Sequence, residues 1–152
     1  MTQAEREYLG WGRVEVRPSV RQAYDVFLNV IQLGDANTLV TMAPIARVDS
    51  TGGVSTGAHI GDPSNQWVVM AARTASDRYE VGDTTYSFRP VAPRSRHLLI
   101  NMARGTTFYV KVSSTGPDTR VGIATRPASG STAVTSNDQG VLSFELNDTQ
   151  VR

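Results

Sequence analysis

Two runs of strict period-two alternation flank a three-residue connection, Ala103-Arg104-Gly105, and this pattern constrains the chain more than any other. Leu98, Ile100 and Met102 fall on one side of the run before it. Phe108, Val110 and Val112 share a side after it, with Thr107, Tyr109 and Lys111 opposite. Alternation on both sides of a short loop that carries a glycine predicts a β-hairpin. A hairpin with one apolar face is not stable alone in water, so the remaining chain must supply the second layer of a sandwich.

The rest of the chain repeats the theme. Residues 11–17 alternate, with Val14 and Val16 opposed to Arg13, Glu15 and Arg17, until Pro18 ends the run. Residues 24–33 are apolar on both faces, as in a central strand or one covered by a neighbouring domain. A helix is the competing reading there, and the β-branched and aromatic content favours a strand. Residues 40–49 read as a strand broken near Pro44, residues 54–60 as a weak strand and residues 67–72 as a strong one. Residues 79–81 and 84–88 flank Gly82-Asp83 and read as a second hairpin. Residues 89–96 hold two prolines and three arginines and read as loop, as does the cluster Gly61-Asp62-Pro63-Ser64-Asn65. Residues 120–125, 133–135 and 142–146 supply the closing strands. Roughly ten to twelve short strands between Gly, Pro, Asn and Asp clusters, with no long helical stretch, predict an all-β antiparallel sandwich. It is expected over residues 11–152, with residues 1–10 as linker or disordered segment.

Composition excludes more than it selects. The chain is 39% hydrophobic and 19% charged over 152 residues, which suits one globular core. A formal net charge of +1 supplies no field to favour nucleic acid or an anionic membrane. Cysteine is absent, which rules out disulfides, thiolate chemistry and cysteine-rich zinc sites. Residues 1–10 carry Glu5, Arg6 and Glu7 and no apolar core, so no signal peptide is expected in this chain, and no apolar run reaches membrane-span length. Lys111 is the sole lysine beside fourteen arginines. The ordinary explanation of that bias is a GC-rich genome. The functional alternative is that some arginines grip carboxylates or sulfates through their planar fork.

No reaction motif stands out. His59 and His97 are far apart, without HxH or HExxH spacing, and only scattered carboxylates such as Asp49 and Asp62 accompany them. They read as surface or hydrogen-bonded histidines, so neither a metal site nor a cofactor is expected. There is no Gly-x-Ser-x-Gly elbow, no P-loop and no dinucleotide fingerprint. Paired carboxylates for glycoside hydrolysis are a matter of space, and the sequence selects no pair. No catalytic residue is assigned. Carbohydrate binding on a sandwich needs exposed aromatic faces beside groups that orient hydroxyls and carboxylates. Tyr109, expected to point away from the core, and Trp11 and Trp67, at strand starts, are the aromatic candidates. Arg94 and Arg96, flanking Ser95 in the proline-rich stretch, are the candidates for an anionic sugar. The competing reading has both tryptophans filling the core edge and the arginines solvated.

Several stretches together resemble a known family. They are Gly10-Trp11-Gly12-Arg13-Val14-Glu15-Val16-Arg17-Pro18, Tyr24-Asp25-Val26-Phe27-Leu28-Asn29-Val30-Ile31, and Gly57-Ala58-His59-Ile60-Gly61-Asp62 before Trp67-Val68-Val69-Met70. His97-Leu98-Leu99-Ile100-Asn101, Arg104-Gly105-Thr106-Thr107-Phe108-Tyr109-Val110 and Gln139-Gly140-Val141-Leu142-Ser143-Phe144 complete the set. From Trp11 onward the chain resembles the C-terminal β-sandwich region of heparinase II/III-like polysaccharide lyases. In that family an α/α toroid precedes the sandwich, and the acidic polysaccharide lies between them. β-Elimination there uses a tyrosine or histidine as base and acid, with an asparagine, arginine or metal easing the uronate charge. This chain has no helical sequence for a toroid, and no catalytic residue of the family carries over to it.

The resemblance implies a non-catalytic accessory module that supports or binds an acidic polysaccharide, secreted or periplasmic if part of a larger exported protein. Two alternatives stand beside it. One is a lyase fragment active only with its adjacent catalytic domain. The other is an adhesion or assembly module without a sugar site, self-associating through an apolar patch at residues 24–33.

Overall fold

The structure, a computed structural model, describes residues 29–31, 41–62, 65–73 and 80–152. Within them run ten strands: β1 (Ile45–Asp49), β2 (Ser55–Asp62), β3 (Asn65–Ala72), β4 (Thr84–Phe88), β5 (Arg94–Leu99), β6 (Thr107–Thr115), β7 (Asp118–Ala124), β8 (Thr132–Thr135), β9 (Leu142–Asn147) and β10 (Gln150–Val151). No helix occurs among the described residues. Six strands form one sheet, in the order β1-β2-β3-β5-β9-β10, and four form the other, β4-β7-β6-β8. Their inner faces share one apolar cluster, so the all-β sandwich expected from the turn spacing is what forms.

Among the ten strands all pairings are antiparallel except that of β3 with β5, which is parallel. Parallel neighbours need a crossover connection. Here β4 provides it by passing through the second sheet before the chain returns beside β3. Register places Val48, Gly57, Met70, Leu99 and Leu142 in one inward row of the larger sheet, and His59, Val68, His97 and Phe144 in the next. Tyr86, Phe88, Phe108, Val110, Val121 and Ile123 complete the core from the smaller sheet.

The hairpin expected across Ala103-Arg104-Gly105 does not form. β5 lies between β3 and β9 in the larger sheet and β6 lies in the smaller one, so the connection crosses between layers. The inward set before it also differs from expectation. Ser95, His97 and Leu99 are buried, whereas Ile100 is 37% exposed. Asn101 then takes a left-handed backbone (φ 62°), which shifts the phase and brings Met102 back into the core. Polar side chains occupy core positions here because they satisfy one another. The Tyr86 hydroxyl lies 2.7 Å from His97 Nδ1, and Ser95 Oγ lies 2.8 Å from His97 Nε2.

Beyond the connection the alternation is as read, with Phe108 and Val110 inward and Tyr109 and Lys111 outward. The hairpin partner of β6 is β7, joined by Gly116-Pro117 between the paired residues Thr115 and Asp118. Gly116 has φ 65°, the positive value that a type II′ turn needs at its first central position. Gly82-Asp83 does not form a hairpin either: Val81 bridges Met102 and β4 pairs with β7. Arg94, Ser95 and Arg96, read as loop, open β5. The loop expected at residues 61–65 shrinks, since Asp62 already pairs with Asn65. Of residues 24–33 the structure describes Asn29, Val30 and Ile31, outside any strand. The expected linker at residues 1–10 and strand at 11–17 lie outside the described residues.

Burial lowers the pKa of His97 from 6.5 to about 3, and the positive charge of nearby His59 pushes the same way. Rings of Phe88 and Phe144 enclose it at 5.2 and 4.8 Å, and burial raises the pKa of the facing Tyr86 hydroxyl. The unfolded chain thus binds a proton near pH 6.5 that the fold refuses until about pH 3, so His97 costs stability as pH falls through that window. Denaturant unfolding at pH 7.5 and at pH 4.5 should show this as a loss of roughly tenfold in the folding constant per pH unit below the upper limit. His97→Gln should remove that part of the slope. At Gly57 an added Cβ would overlap the Val69 carbonyl oxygen and sit 2.8 Å from Met70 Cα, both backbone atoms. Gly57→Ala should therefore cost about 3 kcal/mol in the same assay.

Candidate functional site

The sandwich divides the residues expected to bind sugar between its two outer surfaces. Trp67 lies on the outer face of the larger sheet, in a cross-strand row that runs Ile45, Ile60, Trp67, Arg96, Glu145. The Arg96 guanidinium sits 5.2 Å from the Trp67 ring centroid, and its Nε donates to Glu145 Oε1 at 3.0 Å. Arg94 Nη2 lies 3.9 Å from the other oxygen of the same carboxylate. The fold therefore brings Trp67, Arg94 and Arg96 together on one outer face. Yet the charge meant for a ligand is already engaged by Glu145 on the neighbouring strand. Tyr109 points outward, half-buried, from the opposite sheet, so no single small site spans it and this group. Trp11 lies outside the described residues.

Gln66 positions the arginine pair, and its alternating neighbours gave no sign of it. It is 2% exposed. Its Nε2 donates to the carbonyls of Ala92 and Arg94 at 2.6 and 2.9 Å, while Oε1 accepts from Val91 N at 3.1 Å. Because those carbonyls only accept, Oε1 must face His59 Nε2 at 2.9 Å, which makes that ring nitrogen the donor. One side chain thereby ties the proline-rich approach of β5 to β3.

The four-stranded sheet carries a second candidate surface. A depression of about 430 Å³ on it is lined by Asp83, Thr85, Tyr109, Lys111, Arg120 and Gly122, among others. Register orders it into rows: Ser87, Arg120 and Ser113 at one end, Thr85, Gly122 and Lys111 in the middle, Ala124, Tyr109 and Ala133 at the other. Asp83 precedes β4 at this last end, its Oδ1 accepting from Thr125 N and Oγ1 at 2.8 and 3.0 Å. Among the described residues Lys111 and Arg120 make no ion pair, whereas Arg47, Arg89, Arg94, Arg96 and Arg104 each face a carboxylate. A Cβ at Gly122 would lie 3.7 Å from Thr85 Oγ1 and 3.8 Å from the Lys111 carbonyl oxygen. Neither backbone nor neighbours demand glycine there, and its effect is to lower the floor between two cations.

Such a surface can hold an anion between Lys111 and Arg120 and lay a sugar face on Tyr109. The Tyr–His pair that would suit proton transfer, Tyr86 with His97, is sealed in the core at 1% and 0% exposure. No three His, Asp or Glu side chains converge as metal ligands among the described residues. Replacement of Gln66 by leucine would leave its backbone and histidine partners unsatisfied. Gln66→Leu should lose about 3 kcal/mol in equilibrium unfolding, while Arg96→Ala, at an exposed pair, should change stability by less than about 1 kcal/mol. Against known proteins, no family model matches the chain, and neither a curated protein nor a solved structure matches it.

Proposed function

We propose that this protein is a non-catalytic β-sandwich module that binds an acidic polysaccharide on the outer face of its four-stranded sheet. The observation that carries the reading is the pairing there of two cations, free of carboxylate partners among the described residues, with an outward tyrosine above a floor left open by Gly122. A uronate carboxylate accepts from Lys111 and Arg120, and Tyr109 meets the CH-bearing face of a neighbouring ring. The sequence motifs that resemble the sandwich of heparinase II/III-like lyases support the same ligand class and an accessory rather than chemical role. Trp67, Arg94 and Arg96 then serve the fold's other surface, where Glu145 engages the arginines.

Titration with uronate oligosaccharides, followed by amide NMR, tests this reading. Shifts should cluster at Tyr109, Lys111 and Gly122. Combining Lys111→Ala with Arg120→Ala should weaken binding at least about tenfold, the effect of losing two charge-assisted hydrogen bonds, with folding intact. Combining Arg94→Ala with Arg96→Ala should leave affinity unchanged. Absence of any response at millimolar oligosaccharide overturns the proposal.

A further inference from the structure

We infer that the depression on the four-stranded sheet is built for a sparsely charged glycan, one uronate followed by a neutral sugar, and discriminates against a polysulfated one. This inference rests on the binding reading above. Its basis is the order of charges along the sheet. Arg120 and Lys111 occupy adjacent rows at one end and the centre, and Asp83 stands at the far end, across β7 from Tyr109. Alternate residues on a strand are about 7 Å apart, so the surface from the Arg120 row to the Tyr109 row spans about 14 Å. That length takes a short oligosaccharide segment rather than one ring.

The two ends select different sugars. At the cationic end an anion accepts hydrogen bonds from Lys111 and Arg120. At the other end a second anion would meet the Asp83 carboxylate, whose like charge disfavours it. A neutral ring fits there instead. Tyr109, half-buried, is opposed on its own row by Ala124 and Ala133, small residues on both sides of a ring that stacks against the sugar. Asp83 engages Thr125 through Oδ1 alone, so its second oxygen, bonded to nothing among the described residues, accepts from a sugar hydroxyl.

The experiment compares a hyaluronan oligosaccharide, in which glucuronate alternates with N-acetylglucosamine, with a heparin oligosaccharide of equal length at about 150 mM salt, where long-range attraction is screened. The intact chain should bind hyaluronan about fivefold or more tightly than heparin. Asp83→Asn keeps the Oδ1 acceptor for Thr125 and should erase most of that preference by improving heparin binding. Gly122→Leu, which raises the floor, should weaken both glycans. Equal or tighter heparin binding by the unsubstituted protein, or a preference unchanged in Asp83→Asn, overturns the charge inference while shifts at Lys111 and Gly122 uphold the site. Silence of those two amides with every glycan overturns the site as well.

Discussion

A buried side-chain hydrogen bond joins the two layers across the core. Tyr86 belongs to the four-stranded sheet and His97 to the six-stranded one, and their 2.7 Å contact crosses the core. In that setting the bond is strong because no water competes, and its loss would strand two buried polar groups. Ser95 takes the other ring nitrogen, and Phe144 stacks on the imidazole with planes 2° apart. Together these contacts fix which face of β5 turns inward. Arg94, Arg96 and Leu98 must then point outward, and the row containing Trp67 and Glu145 follows from that choice.

This explains why the run before Gly105 misleads. Leu98 and Ile100 look like core residues by hydropathy, and His97 and Ser95 look like surface. The assignment inverts because His97 finds a partner on the opposite sheet and Ser95 finds one in His97, which no hydropathy pattern records. The left-handed Asn101 then hides the inversion by restoring an apolar residue, Met102, to the core after one step. The run after Gly105 has no such exception, and there Tyr109 and Lys111 stand outward as their spacing indicates. The sandwich class, carried by many turns, survives errors in individual pairings. Strand partners do not, because a connection of a few residues can either reverse within one sheet or pass to the other.

The two outer surfaces contrast in how their charges are arranged. On the larger sheet, cross-strand register sets Arg96 opposite Glu145, so the arginine is neutralised by its own fold and lies over Trp67. On the smaller sheet Lys111 faces a glycine and Arg120 faces serines on both sides, so neither cation meets an acid among the described residues. Residue type alone favoured the arginine pair as a binding site. Register reverses the ranking, since an arginine already engaged must give up that pairing before it can hold a ligand.

That register was within reach of the sequence through the Gly116-Pro117 turn. A two-residue loop at those positions pairs Thr115 with Asp118, and period-two pairing then sets Ser113 against Arg120 and Lys111 against Gly122. The alternation of Val121 and Ile123 inward sends Arg120 and Gly122 to the outer face. A one-residue slip in this hairpin would turn both toward the core and bury an arginine without a partner, which the energetics of burial forbid. The same constraint that holds the hydrophobic core in place therefore assembles the cationic surface, and a glycine between the two charges keeps it concave.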